Sequence, residues 1–125
     1  MKATLRSALL ITLCFGLAGY TQADEPPRPE CIAPASPGGG FDLTCKLAQS
    51  ALLQGEYLSR PMRVTYMPGG IGAVAYNAVV AQRSDEPGTI TAFSTGSLLN
   101  LAQGKFGRFD ETAVKWLAAV GTSYG

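Results

Sequence analysis

The chain has 125 residues, 46% of them hydrophobic and 15% charged, with a formal net charge of +1. That length holds one domain at most, and the composition excludes a disordered tail. It contains no histidine, which removes Ser-His-Asp and Cys-His catalysis, and the near-neutral charge gives no footprint for a nucleic-acid backbone.

Residues 1–23 read as an export signal. Lys2 and Arg6 form a basic start, Leu9–Ala18 is an apolar run, and Thr21-Gln22-Ala23 puts small residues three and one before a cut after Ala23. A membrane-spanning helix takes roughly 18 or more apolar residues, so this run is too short to span. The expected outcome is export with the signal peptide cleaved, the alternative being an uncleaved anchor. Residues 24–125 then carry eight basic and nine acidic side chains. Cys31 and Cys45 become an even pair in an oxidising compartment.

After a Pro-rich leader (Asp24–Pro29), Glu30–Ala35 is a short apolar run and a first strand. Ser36–Gly40 breaks it. Leu43, Leu47, Ala51 and Leu52 then recur at helical spacing, with Asp42 as the expected N-cap and Gly55 as the stop. Met62–Met67 is β-rich and reads as a second strand, ended by Pro68-Gly69-Gly70. Ile71–Gln82 is a second helix, and Arg83–Gly88 a turn. Thr89–Ser94 is a third strand, followed through Thr95-Gly96-Ser97 by a short helix, Leu98–Gln103. Val114–Val120 reads as a fourth strand and Thr122–Gly125 as a loop.

Strand, Gly-rich loop and helix thus repeat about three times. The expected class is α/β, a mostly parallel sheet of right-handed β-α-β units with flanking helices. Ligands of such sheets sit beyond the carboxyl ends of the strands. There the loops Ser36–Asp42, Pro68–Gly72 and Ser94–Ser97 would offer free N–H groups at helix N-termini, where glycine lets an anion approach the backbone. The loops carry one charged side chain, Asp42, so an anion would be held by amides and hydroxyls instead of an arginine clamp. That suits reversible capture better than catalysis.

The glycines do not complete a phosphate loop or a dinucleotide fingerprint, and no cofactor or metal site is expected. Asp85-Glu86 and Asp110-Glu111 read as solvated turns. Cys31 and Cys45 lie 14 apart, on the first strand and the first turn of the helix packed against it. A bridge between them is the preferred reading, and two buried thiols the alternative.

The run Pro29-Glu30-Cys31-Ile32-Ala33-Pro34-Ala35-Ser36-Pro37-Gly38-Gly39-Gly40-Phe41-Asp42-Leu43-Thr44-Cys45 resembles the start of the mature extracytoplasmic receptors of tripartite tricarboxylate transporters. Pro68–Gly72 is similar to that family's second Gly-rich loop, Thr95-Gly96-Ser97 to its third, and Trp116–Gly125 to the strand that follows. The resemblance implies a two-lobed periplasmic binding fold of type II, of which residues 24–125 would be part of the first lobe. It implies capture of citrate or a related tri- or dicarboxylate and delivery to the membrane subunits of the transporter, with no enzymatic step. Its implied ligand-binding residues are Ser36, Gly38, Gly39, Gly40, Gly69, Gly70, Gly72, Thr95 and Ser97, with Asp42 organising the first loop. Phe41 stands where much of the family has a small residue. Family members are about twice a usual single-domain length, so the chain reads as a fragment. The runner-up is a fragment of an exported Rossmann-like enzyme.

Overall fold

A computed structural model describes residues 24–121. The expected export signal, 1–23, and the expected last loop, 122–125, lie outside the described residues. Three strands form one parallel sheet, β1 (Glu30–Ala33), β2 (Arg63–Tyr66) and β3 (Thr89–Thr91), in the order β2-β1-β3. Glu30 stands opposite Arg63 and Thr89, and Ile32 opposite Thr65 and Thr91. All four residues of β1 are buried, as expected of a central parallel strand covered on both faces. Three helices follow the strands: α1 (Gly40–Gln54), α2 (Ala73–Gln82), entered through a 3₁₀ turn at Gly70–Gly72, and α3 (Thr95–Ala102). The molecule is therefore α/β, a parallel sheet flanked by helices.

Strand alternation divides the core in two. Cys31, Ala33, Val64, Tyr66, Ile90 and Ala92 point to one face and pack with Phe41, Cys45, Ala48 and Leu52 of α1. On the other side Phe93 meets Tyr76 of α2, Leu101 of α3 and Phe106. The rings of Tyr76, Phe93 and Phe106 lie 5.6–5.9 Å apart in tilted and edge-on pairs, the arrangement aromatic quadrupoles favour.

Cys31 and Cys45 are bridged, with their Cα atoms 5.7 Å apart. The bridge fixes the rotation of α1. Phe41, Cys45, Ala48 and Leu52 fall within a narrow arc at 100° per residue and face the sheet. Leu43, Leu47 and Ala51 fall on the far side and are exposed. The apolar stripe expected from leucine spacing is thus not the buried one, because the disulfide and Asp42 select the neighbouring stripe.

Three other expectations are corrected. Gly39, not Asp42, is the N-cap of α1, because the helix begins three residues earlier than the apolar spacing implies. The third helix begins at Thr95 with Ser94 as N-cap, its Oγ accepting from the Ser97 N–H at 3.1 Å. The span 114–120, expected as a fourth strand, is not a strand. A 3₁₀ turn at Glu111–Ala113 precedes it, capped by Asp110. The Trp116 indole N–H donates back to the Glu111 carbonyl at 3.0 Å, and its ring lies 5.5 Å from Phe93. These contacts hold the segment in a folded-back path instead of a ladder.

Candidate functional site

The loops after β1, β2 and β3 leave the same edge of the sheet. The Met67 N–H donates to the Ala33 carbonyl at 2.9 Å, and the Ala92 N–H to the Ile32 carbonyl at 2.9 Å, so the strand ends are in line. The path from β1 runs through α1 to β2 on one side. The next connection, through α2, passes β1 to reach β3 on the other side. That reversal is the switch point at which open α/β sheets leave a crevice.

The first loop is the most open. A Cβ placed on Gly38 or Gly40 would meet nothing within 4 Å, and one on Gly39 only the Ser36 carbonyl, at 3.7 Å. Ser36, Gly38, Gly39 and Gly40 are all exposed, and no side chain caps α1. Its first N–H groups therefore have no intrahelical partner and carry the positive end of a 15-residue helix. Gly38 sits at φ 88°, a left-handed conformation that glycine adopts without strain.

Beneath this loop lies Asp42, its side chain 2% exposed. Its Oδ2 accepts from the Gly38 N–H at 2.7 Å and from Lys46 Nζ at 2.8 Å, and its Oδ1 from the Tyr66 hydroxyl at 3.0 Å. The Lys46 ammonium, then the Gly38 N–H, hold the Asp42 carboxyl below its usual range against the opposing effect of burial. Asp42 in turn raises Lys46, while burial and then Asp42 raise the Tyr66 phenol. Both carboxylate oxygens are thus engaged inward. The charge is neutralised by Lys46 and does not face the space above the glycines.

The second loop has four consecutive residues at positive φ: Gly69 at 135°, Gly70 at 58°, Ile71 at 52° and Gly72 at 98°. Ile71 is the outlier, since a β-branched side chain rarely enters this region. The glycines signal their own positions in the sequence; nothing signals Ile71. Gly72 has a second reason to be glycine, because a Cβ there would sit 3.1 Å from Ser97 Oγ.

That contact joins the second and third loops. Thr95 and Gly96 are exposed, and a Cβ on Gly96 would lie 3.8 Å from Ile71 Cγ2. Ser97 is fully buried, its hydroxyl 3.0 Å from that of Ser94. Ser97 therefore supports the loop from below, and Ser94, absent from the expected set, is its hydroxyl partner and the helix cap. A Ser-x-x-Ser spacing ahead of an apolar run is the signal that marks it. No hydrogen bond joins the first loop to the third among the described residues; they are linked through the sheet. The arrangement presents backbone N–H groups and small hydroxyls with no side-chain charge directed outward. Comparison of the chain with protein-family models, with curated proteins and with solved structures returned no match.

Proposed function

We propose that the chain is part of the first lobe of a type II periplasmic binding protein. In this reading it belongs to a receptor of a tripartite tricarboxylate transporter that captures citrate or a related tri- or dicarboxylate. Export after cleavage behind Ala23 and delivery of the ligand to the membrane subunits belong to the same reading. The observation that carries it is the N-terminus of α1: an open, uncapped glycine loop at the switch point, with its one acidic side chain turned away and neutralised. This favours a carboxylate near the loop without gripping it by fixed charge. Ile71, Val74, Leu98 and Leu99 are exposed at or beside the second and third loops. An apolar surface there fits an edge that a second lobe covers when ligand is bound.

The test is residue-resolved NMR of the ¹⁵N-labelled chain titrated with citrate at constant ionic strength. Half a cleft holds a ligand weakly, so saturation is expected only at high citrate. The shifts should centre on the amides of Gly38–Phe41, Gly69–Gly72 and Thr95–Gly96. Citrate shifts that avoid all three loops would refute the site and with it the receptor reading.

A further inference from the structure

The opposite edge of the sheet holds a second feature. At the amino ends of β1 and β2 lies a hollow of about 370 Å³, walled by Arg28, Arg60, Arg63, Arg83, Glu30 and Glu86, with Pro29 and Pro61. Five arginines occur in residues 24–125, and four of them line this one hollow. We propose that it is an oxyanion site, separate from the glycine loops, that takes a phosphate or carboxylate group between Arg28, Arg60 and Arg63.

The two carboxylates leave an excess of positive charge. Glu30 is buried at the floor and accepts from Arg63 at 3.0 Å, from Arg83 and from the Thr65 hydroxyl. Arg83, mostly buried, also donates through Nε and Nη2 to Glu86 and through Nη2 to Thr89. Arg83 is therefore a strut between two acids. Among the described residues, Arg28 and Arg60 make no ion pair. The nearby Glu25 carboxylate accepts from the Ser59 N–H at 3.1 Å and, without pairing with Arg60, interacts with its charge and offsets part of it. Arg63 pairs with Glu30 through one nitrogen while its side chain remains 74% exposed, with donors to spare. Four guanidiniums against two carboxylates leave the walls at +2.

The excess is also held in place. An Arg60 nitrogen donates to the Pro27 carbonyl, which fixes its guanidinium beside the leader that carries Arg28. Pro29 and Pro61 stiffen the backbone on both sides. A scaffold built only to neutralise Glu30 needs Arg63 and Arg83 and no more. Guanidiniums positioned without carboxylates match the paired oxygens of phosphate or carboxylate, which arginine binds in bidentate fashion. The volume admits one small anion.

The test uses the full ¹⁵N-labelled chain at pH 7, titrated in separate arms with inorganic phosphate and with succinate, against sodium chloride at matched ionic strength. Saturable shifts are expected at Arg28, Arg60, Arg63 and Glu86, and the arm with the lower Kd identifies the oxyanion. Arg28→Gln with Arg60→Gln should raise that Kd about tenfold or more, the loss of charge-assisted hydrogen bonds. Arg28→Gln alone removes no hydrogen bond seen among the described residues, so it carries the test if Arg60 proves necessary for folding. No saturable shift beyond the chloride control, or an unchanged Kd in a folded variant, overturns the proposal. Because the amides are resolved one by one, this outcome is independent of whether citrate reaches the glycine loops.

Discussion

Glu30 offers a measurement of how this small sheet tolerates a buried charge. Burial by itself pushes its carboxyl up, but the hydrogen bonds from Arg83, Thr65 and Arg63 outweigh burial and bring it from 4.5 down to about 2. At 1.36 kcal/mol per pH unit, that drop corresponds to about 3 kcal/mol of stability at neutral pH. The sign follows from a folded-state value below the unfolded one. The stabilisation is complete above about pH 4.5 and is lost as pH falls towards about 2. Glu30→Gln keeps the shape and removes the titration. At pH 7 the variant should be less stable than the wild type by about 3 kcal/mol, since the charge-assisted bonds of Arg83 and Arg63 to the buried carboxylate are lost and Arg83 keeps only Glu86 as an acidic partner. Urea unfolding at steps from pH 7 to pH 2 should show that gap closing through the acid window. Asp42 is also held low, but it titrates in both proteins and cancels in the comparison. A gap that stays constant from pH 7 to pH 2 would refute the assignment of this pH dependence to Glu30.

Other outcomes follow from single contacts. Replacing Cys31 and Cys45 together by Ala should cost about 3 kcal/mol, the loop-closure entropy of a 14-residue separation, measured by urea unfolding; peptide mapping without reductant should recover the two cysteines linked. Gly72→Ala, at φ 98° and against Ser97, should lower stability by about 1–2 kcal/mol, whereas Gly39→Ala, at φ −86° and in ordinary contact with the Ser36 carbonyl, should cost under about 1 kcal/mol, the loss of a tolerated N-cap residue. Mass spectrometry of periplasmic product should find Asp24 as the first residue; a product that retains Met1 would sink the export reading.

Much of the architecture was legible because glycine and proline punctuate it. Pro68-Gly69-Gly70 follows the end of β2 as expected, and β1 stops at Ala33, before Pro34 and two residues short of the expected break at Ser36–Gly40. The parallel class followed from the repeated order of strand, Gly-rich loop and helix. What was not legible was the choice between two helix stripes. Leu43 and Leu47 have the stronger hydrophobicity, yet Cys45 is tethered to Cys31 and takes its own stripe inward. A long-range covalent tie overrides a local periodicity. The expected fourth strand failed for a similar reason: Val114–Val120 has strand composition, but Trp116 is drawn to Phe93 and Glu111. At the candidate site, the glycines and Asp42 were visible, but the burial of Ser97 and the capping by Ser94 depend on how α3 meets the Gly72 turn. The arginine hollow was invisible for a simpler reason. Its members are spread from residue 28 to residue 86, and the register of Glu30 with Arg63 gathers them.

The two edges of the sheet would hold negative charge by different physics, and salt separates them. At the glycine edge the attraction comes from N–H groups within hydrogen-bond reach, with no unpaired side-chain cation nearby, because Lys46 is committed to Asp42. Hydrogen bonds at that range are screened less than the net charge of the arginine walls, although the helix-dipole part of the attraction weakens with salt. At the arginine edge the attraction includes the +2 excess of the walls, and Arg63 is exposed, so screening reaches it. The Debye length falls from about 10 Å at 0.1 M salt to about 3 Å at 1 M, within the span of such a hollow. Raising sodium chloride across that range should therefore weaken phosphate or succinate at the arginine hollow severalfold, while citrate shifts at Gly38–Phe41 change less. Equal salt sensitivity at both edges would mean that the glycine loops attract anions through the general field of the protein and not through their own amides.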